Sequence, residues 1–132
     1  MTPTLGFTTS LTLTVLVLLF VVLTGRASKR KIHLTLVALA VLLLGVTIYY
    51  AEQLGEEYDL ETAGSITGIH LALAKFTVVA YLAPVVTGVM TLKNARRRAL
   101  HGKVAYFVLA MTLATFATGL AMILLAEPLP IS

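Results

Sequence analysis

The chain has 132 residues, of which 58% are hydrophobic and 12% are charged, and its formal net charge is +4. A soluble domain carries about 25% charged residues, so this composition excludes an ordinary soluble protein and favours one embedded in lipid. The sequence has no cysteine, which excludes disulfides, thiolate metal sites and thioether-linked cofactors.

Four apolar runs occupy most of the chain, and each is long enough to cross a bilayer as a helix of roughly 20 residues. They are Leu5–Thr24, Ile32–Ala51, Ile66–Leu92 and Val104–Ala126. We predict helical spans at about residues 5–25, 31–51, 65–92 and 101–126. No basic residue precedes the first run, so we do not expect a cleavable signal. Because the loops are short, the pattern predicts an all-α, integral membrane, up-down four-helix bundle, with residues 1–132 as a single domain.

Charged residues concentrate in the loops and predict the orientation of the chain. The segments 26–31 (RASKRK) and 93–103 (KNARRRALHGK) are basic, and segment 52–61 (EQLGEEYDLE) between them is acidic. The positive-inside rule places both basic loops in the cytoplasm. The acidic loop and both termini then lie outside the plasma membrane of a bacterium or archaeon. The location of the basic residues in short loops beside spans argues against nucleic acid as a partner, and we expect these residues also to contact anionic lipid headgroups.

Several local features refine the spans. Tyr49 and Tyr50 are typical interfacial anchors at the end of the second span. Thr62 or Ser65 is expected to cap the third span, and Pro84 is expected to kink it. No internal repeat is expected.

Two of the three histidines are predicted at the same membrane depth. His33 lies just inside the second span and His101 just inside the fourth, and both spans begin on the cytoplasmic side. Ionisable side chains in a membrane are costly and usually mark functional sites. Two imidazoles at one depth in a helix bundle can be the axial ligands of a haem b iron. The alternative is that both are interfacial side chains facing headgroups.

Basic residues next to these histidines are candidates to pair with haem propionates. They are Arg30, Lys31, Arg98 and Lys103.

His70 is expected near the outer face, because the third span runs in the opposite direction. Met122 lies 21 residues beyond His101, about 31 Å along the helix, and is a candidate partner of His70 on a second haem iron. The alternatives for His70 are a five-coordinate haem, a quinone, or a hydrogen bond across helices. Lys75 points about 140° away from His70 around the helix and is expected to snorkel outward. Its alternative role is to bind a propionate or a quinone.

Three segments resemble a family of small four-helix bacterial membrane proteins of unknown function. These segments are KRKIHLTLVALAVLL, GIHLALAKFTVVAYLAPVVTG and RRRALHGKVAYFVLAMTLATFATGLAM, within residues 26–125. Some members are linked to haem A handling and the assembly of cytochrome c oxidase. Some also carry a histidine near the C-terminus, where this chain has AEPLPIS. The layout is also similar to the cytochrome b561 group, in which histidines on alternate helices hold one haem on each side of the membrane.

These features lead to one expected function and two alternatives. We expect a b-type cytochrome-like membrane protein for transmembrane electron transfer, either alone or as a subunit of a respiratory complex. The alternatives are a haem-handling assembly factor for an oxidase and a structural subunit without a cofactor. No acidic residue lies within a span and no nucleophile motif is present, so an electron carrier is expected rather than an independent enzyme.

Overall fold

A computed structural model describes residues 2–130 and confirms an all-α protein. The α-helices are α1 (Pro3–Arg26), α2 (Arg30–Gly55), α3 (Ser65–Ala80), α4 (Leu82–Lys93) and α5 (Arg98–Leu125). Short 3₁₀ turns cover Leu60–Ala63 and Ala95–Arg97, and β1 (Tyr58–Asp59) and β2 (Glu127–Pro128) form a two-stranded sheet. Four helical stretches are long and apolar enough to cross a membrane: Pro3–Arg26, Arg30–Gly55, Ser65–Lys93 and Ala95–Leu125.

The start of α3 differs from the prediction. Neither Thr62 nor Ser65 caps this helix, whose N-cap is Gly64 with a φ of 72°. Glycine adopts this positive φ without the steric cost that a Cβ would bring. The Thr62 hydroxyl instead accepts a 2.8 Å hydrogen bond from the backbone N–H of Glu127, and so joins this loop to the segment that follows α5.

The third span is divided at Tyr81, which separates α3 from α4. Pro84 lies three residues later and has no N–H to donate to the carbonyl of Ala80, and its ring crowds the same carbonyl. The distortion expected from this proline therefore appears one turn before it.

The chain forms two compact units, Met1–Tyr58 and Asp59–Ser132, which we name the N-terminal unit and the C-terminal unit. The N-terminal unit is an antiparallel hairpin of α1 and α2. Its register is defined by a 3.0 Å hydrogen bond between the hydroxyls of Thr14 and Thr47, both buried. The prediction of a single four-helix domain concerns the packing of the two units and stays a prediction.

The C-terminal unit is an antiparallel hairpin of α5 against α3 and α4. The Thr77 and Thr115 hydroxyls are 2.9 Å apart, and the Tyr81 hydroxyl is 2.8 Å from that of Thr112. Among the residues that the structure describes, no buried side-chain nitrogen or oxygen lacks a hydrogen-bond partner. This condition is essential for helices in lipid, where no water is present to satisfy polar groups.

Contrary to the expectation of no repeat, the two units repeat one pattern. Segments 14–25 (TVLVLLFVVLTG) and 77–88 (TVVAYLAPVVTG) share six of twelve residues, including a threonine at each start and a Thr-Gly pair at each end. The helix that follows each matched segment has a histidine and, 14 residues later, a threonine. These residues are His33 and Thr47 in α2, and His101 and Thr115 in α5. The loop from the matched segment to the histidine of the following helix is five residues longer in the C-terminal unit. A single numbering offset therefore does not align both the matched segments and the helices that follow them.

Buried positions follow the same correspondence. Ala40 matches Val108, and Leu54 matches Met122; these side chains are 5%, 3%, 5% and 6% exposed, respectively. The two units therefore share a packing pattern as well as part of a sequence.

Candidate functional site

His33 is the fourth residue of α2 and contacts the end of α1. Its Nδ1 lies 2.9 Å from the carbonyl oxygen of Val21 and 3.5 Å from the Thr24 hydroxyl. A carbonyl only accepts hydrogen bonds, so Nδ1 carries the hydrogen and Nε2 of the neutral ring carries the lone pair. The ring also lies against Gly25, where an added Cβ would be 3.1 Å from the His33 Cε1.

His101 is the fourth residue of α5 and makes a similar contact with the end of α4. Its Nδ1 lies 3.1 Å from the Thr87 hydroxyl, which itself donates a 2.8 Å hydrogen bond to the carbonyl of Ala83. Because the hydroxyl hydrogen is directed to that carbonyl, the Thr87 oxygen accepts from Nδ1–H. A Cβ added at Gly88 would be 3.3 Å from the His101 Cε1.

His70 repeats this arrangement at the other end of the C-terminal unit. Its Nδ1 lies 3.1 Å from the Thr118 hydroxyl, which donates a 2.9 Å hydrogen bond to the carbonyl of Ala114. A Cβ added at Gly119 would be 2.8 Å from the His70 Cε1. The same reasoning places the hydrogen of this imidazole on Nδ1.

We call this arrangement a histidine module: Nδ1 faces the threonine of a Thr-Gly pair and Cε1 lies against its glycine. All three histidines of the chain belong to such a module. The dipeptide alone does not create one, since Thr67–Gly68 also occurs and nothing lies within 4 Å of a Cβ added at Gly68. Glycine matters here because a larger residue would hold the imidazole away from the helix.

The two modules of the C-terminal unit lie at opposite ends of α5. His101 and Thr118, which contacts His70, are separated by 17 residues on this helix, or about 26 Å. His70 and His101 therefore cannot ligate one metal ion. Their depths in a membrane and the pairing of His33 with His101 stay predictions.

The structure places the other candidate residues as follows. Met122 is 6% exposed and matches the buried Leu54 of the N-terminal unit; leucine cannot ligate iron, so this match favours a packing role. Lys75 is exposed on α3, and its snorkelling stays a prediction. The candidate propionate partners are also exposed: Arg30, Lys31, Arg98 and Lys103.

A site made of one or two histidines provides fewer ligands than a bare metal ion needs but enough for haem. Within residues 2–130, no group of three or more histidine, aspartate or glutamate side chains could hold a metal ion. An ion bound only by protein normally needs about four or more ligands. Imidazoles are sufficient for haem, whose macrocycle supplies the other four nitrogen ligands.

Sequence reasoning identified the histidines, and the family resemblance included Thr118–Gly119, but no Thr-Gly pair was expected to hold a histidine. The available signal was the recurrence of Thr-Gly near the end of a span that packs beside a histidine-bearing helix. Comparisons with protein-family models, curated proteins and solved structures found no match. The family resemblance therefore remains an expectation.

Proposed function

We propose that this protein is a b-type, haem-binding membrane protein that transfers electrons across the bilayer. The observation that carries the proposal is the histidine module. A histidine that ligates a metal usually donates its other ring N–H to a carbonyl, a carboxylate or water. Nδ1 of each histidine likewise faces an oxygen acceptor within its own unit, a carbonyl for His33 and a threonine hydroxyl for His101 and His70. Nε2 is then the nitrogen that carries the lone pair.

His33 and His101 are the proposed ligands of one haem b near the cytoplasmic face. Support comes from their equivalent positions in the repeat, each at the fourth residue of a helix that follows a basic loop. Bound haem would supply reversible one-electron redox chemistry. The protein's part is to hold two imidazoles in one tautomer and to exclude water with the surrounding apolar helices. The propionate partners would be Arg30, Lys31, Arg98 and Lys103.

His70 is the proposed ligand of a second redox site near the outer face, for a second haem or a quinone. Support comes from its module, which repeats the environment of the other two histidines about 26 Å along α5 from His101. Met122 remains a candidate sixth ligand there, although its match to Leu54 favours packing. Two redox sites at opposite ends of the spans would allow electrons to cross the membrane.

The proposed location is the plasma membrane of a bacterium or archaeon, with both termini outside and with subunits of a respiratory complex or oxidase as partners. An oxidase assembly factor that holds haem transiently is the second candidate. It shares the same ligands and would bind haem weakly and substoichiometrically. A cytochrome would instead retain about one or two haems per chain during purification.

Absorption spectra of the detergent-purified protein, oxidised and reduced with dithionite, test the proposal together with a pyridine haemochrome assay. We expect sharp reduced bands in the wild-type protein. His33→Ala and His101→Ala should each abolish the same haem signal, whereas His70→Ala should leave that signal largely intact. If either of the first two variants keeps the signal, the paired-ligand proposal is wrong. Absence of a Soret band even after addition of haem would leave a structural subunit or a protein that binds haem only with a partner.

A further inference from the structure

We infer that the Thr-Gly pairs are positioning residues that fix the tautomer and the approach of each imidazole, so that Nε2 is presented as the ligand atom. The pairs are Thr24–Gly25, Thr87–Gly88 and Thr118–Gly119. The inference rests on the proposed function only for the identity of the ligand, haem iron. The tautomer itself is a property of the protein without a cofactor.

The direction of the hydrogen bonds made by the threonine hydroxyls determines which nitrogen of the imidazole carries the hydrogen. The Thr87 and Thr118 hydroxyls each donate to a carbonyl one turn earlier in their own helix. Each hydroxyl oxygen is therefore left as an acceptor, and it faces Nδ1 of a histidine at 3.1 Å. A hydroxyl fixed in this way selects the tautomer with hydrogen on Nδ1 over the tautomer with hydrogen on Nε2.

The threonines do not need the histidines for their own hydrogen bonding. Thr91 donates only to the carbonyl of Thr87, and Thr8 only to that of Thr4, and neither contacts a histidine. The additional contact of Thr87 and Thr118 therefore serves the imidazoles. A valine would fill nearly the same volume but would offer no acceptor.

The His33 module has a backbone acceptor beside its threonine hydroxyl. The carbonyl of Val21 accepts from Nδ1 at 2.9 Å, and the Thr24 hydroxyl lies farther away at 3.5 Å. No side-chain substitution removes a backbone carbonyl. We therefore expect the tautomer of His33 to withstand the loss of the Thr24 hydroxyl. We expect that of His101 to respond to the loss of the Thr87 hydroxyl, which faces its Nδ1 at 3.1 Å.

The acceptor also has a consequence for a ligated iron. An acceptor on Nδ1–H makes the imidazole a more basic ligand, which stabilises ferric over ferrous iron. Loss of the Thr87 hydroxyl should therefore raise the midpoint potential of a haem bound by His101. Loss of the Thr24 hydroxyl should have little effect, because the Val21 carbonyl remains.

The test is ¹⁵N NMR of the histidine rings in the full-length, haem-free protein in detergent. In the wild type we expect His101 with hydrogen on Nδ1. In Thr87→Val, the ratio of the Nδ1–H to the Nε2–H tautomer should fall roughly fivefold, as expected for loss of one hydrogen bond. Thr87→Ser should restore it, and Thr24→Val should leave His33 unchanged. Thr118→Val with His70 provides a second variant if Thr87→Val fails to fold, with a smaller change expected because the Thr115 backbone also hydrogen-bonds this ring.

The inference is overturned if wild-type His101 carries its hydrogen on Nε2, or if neither Thr87→Val nor Thr118→Val changes its histidine. Potentiometry of the haem-loaded protein adds the second measurement. A higher midpoint potential in Thr87→Val than in Thr87→Ser supports the tuning role, and equal potentials reject it. If no variant and no wild-type protein binds haem, the proposed function fails, while the NMR result still decides whether the threonines position the rings.

Discussion

At the scale of single residues, the space between each glycine and its imidazole determines how well a methyl group can be accommodated. A Cβ at Gly119 would lie 2.8 Å from the His70 Cε1, whereas a Cβ at Gly88 would lie 3.3 Å from the His101 Cε1. We expect Gly119→Ala to displace the His70 ring and to destabilise the protein by about 1–3 kcal/mol, as overpacking typically does. Gly88→Ala should cost less. Thermal unfolding in detergent measures both changes.

Two other glycines are matched controls for this comparison. Nothing lies within 4 Å of a Cβ added at Gly102 or Gly68, although each is next to or near a histidine in sequence. Alanine favours a helix over glycine by roughly 0.5–1 kcal/mol, so Gly102→Ala and Gly68→Ala should be neutral or stabilising. Equal losses at Gly119 and Gly102 would show that the ring contact is not the cause.

The role of Met122 can also be decided at this scale. Its position matches that of Leu54, and both side chains are buried. Met122→Leu conserves volume and should cost less than about 1.5 kcal/mol, with no change in the number of haems or in their spectra. Loss of one haem in this variant, with stability retained, would instead identify Met122 as an axial ligand of the outer site.

At the scale of helices, paired hydroxyls join the two helices of each hairpin. Thr14 and Thr47 are 6% exposed or less, and their hydroxyls are 3.0 Å apart. Hydrogen bonds between membrane helices contribute about 0.6 kcal/mol on average. A double-mutant cycle of Thr14→Val and Thr47→Val should give a coupling energy of about that size, measured by reversible unfolding in detergent. Additive single effects would mean that the hydroxyls do not interact.

The helices themselves were largely predictable from the sequence, because lipid leaves a long apolar segment few options other than a helix. The spans differ from the prediction by a few residues at their ends, where α2 continues to Gly55 through Glu52 and Gln53. Such ends are governed by local capping and lie outside the apolar pattern. The start of α3 was missed for this reason, since Gly64 rather than a polar side chain ends the loop.

The histidine modules were less predictable than the helices. Each joins residues that are 9, 14 or 48 positions apart, and the contact depends on the register of one helix against another. The sequence contains the Thr-Gly pairs, but Thr67–Gly68 shows that the pair is not sufficient. The repeat was obscured by the longer basic loop of the C-terminal unit and by differences at six of the twelve positions in the matched segments.

At the scale of the whole chain, two of the three histidine modules occupy equivalent positions in the two units. Two modules follow the basic loops, with His33 and His101 each at the fourth residue of a helix. The third lies at the other end of the C-terminal unit. The corresponding end of the N-terminal unit has the Tyr50 ring against Gly6 instead of an imidazole. The repeat therefore supplies two equivalent histidines at one end of the hairpins and a single histidine at the other.

The predicted orientation gives the last test, and the absence of cysteine makes the test simple. Ala27, Ala95 and Glu57 are exposed in the three loops, so a cysteine at each would be the only thiol in the chain. In intact cells, a membrane-impermeant maleimide should label Glu57→Cys but should label Ala27→Cys and Ala95→Cys only after permeabilisation. Labelling of both basic-loop variants in intact cells would reverse the orientation and place His33 and His101 at the outer face. Labelling of only one of them would contradict four spans and remove the reason to expect the two histidines at one depth.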